Sequence, residues 1–154
     1  MEFFAFCTAV FFSAFIYAGF CALLSWVGGW WQLGNLYPAT IKESGSEFWM
    51  ISGSFGWPPF AASYGRCLFV TVTSRGLRIS IFFLFRPFHP PLFFPWERVL
   101  RGDFHYELFY RALSIELVDY HTPIVLYGRA AQPIADAFSQ WQCDRQTEEE
   151  LAEL

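Results

Sequence analysis

Charge is what this 154-residue chain has least of. Asp, Glu, Lys and Arg make up 16% of it, against about 25% in ordinary globular domains. Lysine occurs once, at Lys42, and the formal net charge is -4. A nucleic-acid surface needs clustered cations, so both sign and number exclude it. Cysteine is sparse too. Cys7, Cys21, Cys67 and Cys143 form no CxxC pair and no framework spacing, so they read as unpaired buried thiols. The three histidines, His89, His105 and His121, lack the spacing of a metal-ligand set. There is no GxSxG elbow, and the glycines of residues 52–56 lack the Lys and following helix of a phosphate cradle. The chain is therefore expected to be no enzyme, and to use no cofactor, metal or small-molecule substrate.

What the sequence has instead is apolar and aromatic mass. It is 55% hydrophobic and 22% aromatic, with 20 Phe, which excludes disorder. The excess is gathered at one end, where no charge falls between Glu2 and Lys42. Residues 3–27 contain no proline, and their only polar side chains are Thr8, Ser13, Tyr17 and Ser25. As a helix this run spans about 37 Å, against about 30 Å of hydrocarbon. Its Phe, Leu, Ile and Val residues each favour insertion by about 0.3–0.6 kcal/mol, with no charge opposing them. The run is too long for a signal peptide, and no basic residue precedes it. The reading is a transmembrane helix over 3–29, followed by a linker over 30–46. Trp30 and Trp31 stand where aromatic belts anchor a helix at the membrane interface.

Ala14, Ala18, Ala22, Ser25 and Gly29 fall at i, i+4, i+8, i+11 and i+15. That makes a stripe of small residues, the pattern by which membrane helices approach one another closely. The basic residues Lys42, Arg66, Arg75 and Arg78 all follow the span, so the positive-inside bias places the rest of the chain in the cytoplasm.

Beyond the linker, short strand-like runs alternate with Gly and Pro signals. Strands are expected over 48–55, 67–73, 77–85, 92–96, 103–111, 113–119 and 123–127. Pro87, Pro90 and Pro91 force a loop over 86–91, because proline removes ladder donors. Residues 130–142 read as a helix whose buried stripe is Ile134, Ala137, Phe138 and Trp141. Residues 143–154 form an acidic tail, expected to be frayed.

The fold class is thus α+β, mainly β: one transmembrane helix, then a seven-stranded barrel or curved sheet over 47–142 with a C-terminal helix. That order resembles a pleckstrin-homology-like (PH-like) domain. The run Gly76-Leu77-Arg78-Ile79-Ser80, then Phe85-Arg86-Pro87-Phe88-His89-Pro90-Pro91-Leu92, then Phe94-Pro95-Trp96-Glu97, sharpens the resemblance. It is similar to small bacterial membrane-anchored proteins with a PH-like domain. Their pattern is Gly-Leu-x-Leu-Ser, Phe-Arg-x-x-His-Pro-Pro-Leu, and Ile-Pro-Trp with an acidic residue. Trp31-Gln32-Leu33 and Tyr37-Pro38 match their post-membrane segment, and Phe94 stands where the pattern has Ile. The resemblance covers roughly 30–140. It implies a fold and a bacterial inner-membrane location, and supplies no catalytic residues.

Two features point to partners. Trp57-Pro58-Pro59-Phe60 and residues 88–94 are aromatic loops stiffened by proline, which lose little entropy on binding. Trp57, Phe60, Arg86, Phe88, His89 and Phe93 are the candidate docking residues. Arg86 is a lone charge in an aromatic stretch, paired with Glu97 or Asp103, stacked on an aromatic face, or contacting a headgroup or partner. His89 also reads as a loop residue bonded to backbone. Residues 56–65 hold no basic residue, and up to Cys143 acidic and basic side chains balance at nine each. An anionic-lipid binder wants about four to eight clustered cations. The sequence therefore suggests an accessory or scaffold subunit, docked on an integral membrane complex such as a photosynthetic or respiratory one. A membrane-anchored lipid-headgroup or peptide sensor is the alternative.

Overall fold

The computed structural model describes residues 2–40, 44–56, 61–107 and 110–152. Helix α1 (Glu2–Val27) is followed by a short helix α2 (Trp30–Leu36). Seven strands come next: β1 (Ser46–Phe55), β2 (Ala62–Val72), β3 (Gly76–Ile81), β4 (Leu92–Pro95), β5 (Val99–Glu107), β6 (Tyr110–Leu117) and β7 (Tyr120–Tyr127). Helix α3 (Ala131–Ala152) ends the chain's regular structure.

Helix α1 is long and apolar enough to cross a membrane. Residues Phe4–Val27 have a mean hydropathy of 2.0, and only 6% of the most apolar stretch is buried by the rest of the chain. A core helix of this hydrophobicity would be enclosed; this one holds its Phe side chains outward.

The strands form one antiparallel sheet in the order β4-β3-β2-β1-β7-β6-β5. Neighbours in the sheet are neighbours in sequence except at the centre, where β1 pairs with β7 through Ser52–Tyr127, Gly53–Leu126 and Ser54–Val125. That pairing joins the first four strands to the last three. Strands β1 and β2 are irregular beside it. The β1–β2 register shifts between Phe48 and Gly53, and Met50 (φ 59°) and Arg66 (φ 53°) adopt left-handed backbone there. Bulges of this kind increase local twist and curve a sheet.

The concave side is filled by the expected alternation. Leu77, Ile79 and Ile81 of β3 and Leu113, Ile115 and Leu117 of β6 are all buried. Helix α3 closes the core with Ile134 and Phe138, the latter 5.8 Å from the Trp96 ring.

Three expectations are revised. The run 77–85 is a strand only to Ile81. Residues Phe83–Phe85 turn as a 3-10 helix, because Phe82 and Leu84 make the run apolar on both sides and leave no polar face to keep it in register. Residues 143–152 are helical, not frayed; an Arg145–Glu149 pair at i,i+4 (3.2 Å) and Arg145 over the Trp141 ring extend α3. Of the expected linker 30–46, residues 30–38 are packed on the sheet domain. Trp30, Leu33 and Tyr37 belong to the buried core, and Pro38 bridges to Leu92 at the β4 edge.

Candidate functional site

The most elaborate arrangement is the junction between α1 and the sheet. It begins at two glycines. Gly29 has φ 69° and caps α2, so the chain reverses there at little cost for a residue without Cβ. A Cβ on Gly29 would fall 2.1 Å from the Tyr120 hydroxyl, and one on Gly28 would fall 2.7 Å from Ala62 Cβ. The helix end therefore sits directly on the sheet.

The turn drives Trp30 inward. Its ring lies 4.7 Å from Phe55, 5.3 Å from Tyr64 and 5.3 Å from His89. Its indole N–H donates to the Pro90 carbonyl at 2.8 Å, so the one polar atom of a fully buried side chain is satisfied. Tyr64 and His89 complete the cluster, with Oη and Nε2 2.9 Å apart. His89 Nδ1 lies 3.0 Å from the Pro87 carbonyl. A carbonyl only accepts, so Nδ1 carries a proton. The Tyr64 hydroxyl donates to the Leu24 carbonyl at 3.4 Å. Burial pushes the His89 pKa below its ordinary value, against smaller opposing contributions from the Pro87 and Phe85 backbone. Burial pushes the Tyr64 hydroxyl far above its own.

Further along α1, Ser25 donates to the Phe88 carbonyl at 2.5 Å, and Tyr17 donates to the Leu84 carbonyl. Beyond α2, Phe93 N–H donates to Tyr37 at 2.9 Å and Ala39 N–H to Pro91 at 3.1 Å. Tyr37 also donates to Asp119 (3.1 Å), which pairs with Arg98 at 3.3 Å. Residues 82–93 thus run beside α1 and α2 as a strap.

The sequence candidates distribute unevenly over this junction. In the small-residue stripe, Ser25 is buried and Ala18, Ala22 and Gly29 are half-buried, whereas Ala14 is exposed. Trp30 is fully enclosed, away from the surface position expected for an interfacial anchor, because the left-handed Gly29 turns it under the sheet. Trp31, one residue on, is 55% exposed. His89 is enclosed and bonded to backbone, Phe93 is half-buried, and Arg86 and Phe88 are exposed. Asp103 pairs with Arg101 at 2.9 Å. Trp57 and Phe60 lie outside the described residues. Sequence reasoning missed Tyr17, Tyr64 and Tyr120. Tyr17 had a usable signal: it and Ser25 are polar residues eight apart on one face of an apolar helix.

A second feature lies further along β1, β2 and β7. An open cleft of about 470 Å³ is bounded by Trp49, Met50, Arg66, Tyr110, Tyr127 and Arg129. Arg129 donates to the Trp49 carbonyl at 2.7 Å, and Arg66 N–H to Ser52 Oγ at 3.0 Å. Among the described residues, no three His, Cys, Asp or Glu side chains converge as a metal site.

A scan against protein-family models finds no match, and a search of curated proteins finds no significant match.

Proposed function

We propose that this chain is a non-catalytic, single-pass membrane protein whose PH-like domain is presented at the cytoplasmic surface of a bacterial inner membrane. There it acts as an accessory or scaffold subunit of an integral membrane complex. The observation that carries the reading is the junction. The apolar helix is fastened to the sheet by Tyr17, Ser25, Gly28 and Trp30, so the domain holds a fixed attitude to its anchor. Flexible tethers serve recruitment; a fixed attitude serves docking against something itself embedded in the bilayer. The strand order and the closing helix α3 support the PH-like reading, alongside the motif resemblance. The free part of the small-residue stripe, at Ala14, supplies a place for a partner helix. Photosynthetic and respiratory complexes are the candidate hosts.

Purification in mild detergent tests this. Stoichiometric co-purification with one large complex is the expected result, and isolation as a lone monomer overturns it. Ala14→Leu should release the chain from that complex while leaving its own thermal unfolding unchanged, because Ala14 is exposed. Retention of Ala14→Leu in the complex would remove the stripe from the interface.

The cleft favours a second reading, a membrane-anchored sensor of an anionic headgroup or peptide. Two arginines border it, and Met50 and Arg66 hold left-handed backbone at its wall, a kind of strain that clusters at binding sites. Binding to anionic liposomes, lost in Arg66→Ala, separates it from the first.

A further inference from the structure

We infer that the turn at residues 82–88 is a second, non-helical membrane insertion, immersed in the hydrocarbon edge beside α1; this rests on the reading of α1 as a membrane span. The geometry begins with register. Tyr17 meets Leu84, Ser25 meets Phe88, and Trp30 meets Pro90, so the strap climbs α1 from its end towards its middle. Tyr17 lies ten residues before Val27, about 15 Å along the helix.

Length then decides where the bilayer edge falls. The charged Glu2 closes the apolar run on the far side, so if the hydrocarbon ended below the strap, residues 3–16 alone would have to cross it. Fourteen residues reach about 21 Å, and about 30 Å is needed. The turn at Leu84 must therefore sit inside the apolar layer. Its surface suits that place: Phe83 is 69% exposed, Leu84 50% and Phe88 45%, and Ile16 and Phe20, on either side of Tyr17 in α1, are exposed too.

Backbone chemistry is an independent argument. Lipid offers no hydrogen-bond partners, so irregular backbone at that depth must be satisfied by protein. Here the carbonyls of Phe82, Phe83 and Arg86 accept from Phe85, Arg86 and His89 N–H. Those of Leu84, Pro87 and Phe88 accept from Tyr17, His89 Nδ1 and Ser25. Pro87 and Pro90 have no N–H to satisfy. The polar residues in the second half of α1 are thus donors to the turn. Arg86, the one charge, lines a hollow towards the sheet with Glu47, Arg78 and Ser80, the route by which a long cation reaches the wet side of an interface.

The test places a photoreactive benzoyl-phenylalanine at one position at a time in the full chain, reconstituted in phosphatidylcholine nanodiscs. Phe12, Phe83 and Tyr110 are comparably exposed, at 66%, 69% and 66%. Tyr110 starts β6, whose Ala112 pairs with Tyr127, seven residues along β7 from the Tyr120 that packs on Gly29. It is therefore about 23 Å from the junction. Acyl-chain adducts at Phe83 comparable to those at Phe12, with none at Tyr110, are expected. Adducts at Phe12 without Phe83 overturn the inserted turn and leave the anchor. Absence at both overturns the anchor and the insertion with it. Adducts at Phe83 without Phe12 support insertion of the turn and remove the span.

Discussion

The two halves of α1 are both apolar and uncharged beyond Glu2, and they have different fates. Residues 4–16 carry Phe, Val and Ile outward, with exposures of 51–80% for their large side chains. Residues 17–28 turn Tyr17, Cys21, Ser25 and Gly28 towards the chain's own sheet. Hydrophobicity alone does not separate them. What separates them is the placement of two hydroxyl groups on one face and two glycines at the end. An apolar helix becomes a joint where it carries donors that a neighbouring backbone needs, and remains an exposed apolar surface where it does not.

The sharpest way to break this contrast is at the adjacent tryptophans. Trp30→Ala should cost about 3–5 kcal/mol, the range for deleting a buried aromatic, and should leave the Pro90 carbonyl without its donor. Trp31→Ala should cost less than about 0.5 kcal/mol, since its ring is exposed. Thermal or chemical unfolding in detergent reads both, and equal losses would mean that α2 does not turn Trp30 inward. Ser25→Ala comes next. It strands a carbonyl at Phe88 and should cost about 1–3 kcal/mol, whereas Ser13→Ala, on the outward half, should cost almost nothing.

The smallest effect is a pH dependence. The folded pKa of His89 lies below the ordinary 6.5 because burial disfavours its charged form. The unfolded chain therefore binds more protons as pH falls through about 6.5, so stability present at neutral pH is lost from there downward. The slope from this one group is at most about 1.4 kcal/mol per pH unit. In His89→Gln that component should vanish; an unchanged slope between pH 7 and 5 would assign the titration elsewhere.

Much of this was legible in sequence, for identifiable reasons. The α1 run declares itself because charge is absent, and β3 and β6 because Leu77-x-Ile79-x-Ile81 and Leu113-x-Ile115-x-Leu117 alternate. Helix α2 was not legible. Seven residues give barely two turns of periodicity, and Trp30 and Trp31 look alike until Gly29 takes a left-handed turn. The left-handed positions at Met50 and Arg66 are not glycines, so the β1–β7 pairing could not be placed. Only the start of the strap, residues 82–85, was misread, for a related reason: Phe82 and Leu84 look like a doubly buried strand, and only Tyr17 and Ser25, far earlier in the chain, say otherwise.

The left-handed joint at Gly29 has a mechanical consequence. Membrane spans answer a mismatch between their length and the bilayer thickness by tilting. A span on a loose tether tilts alone. With Tyr120 and Ala62 packed on the glycines and Trp30 locked beneath the sheet, α1 cannot lean without carrying the sheet with it, so under the proposed span bilayer thickness would set the angle at which the cleft between Arg66 and Arg129 faces its surroundings.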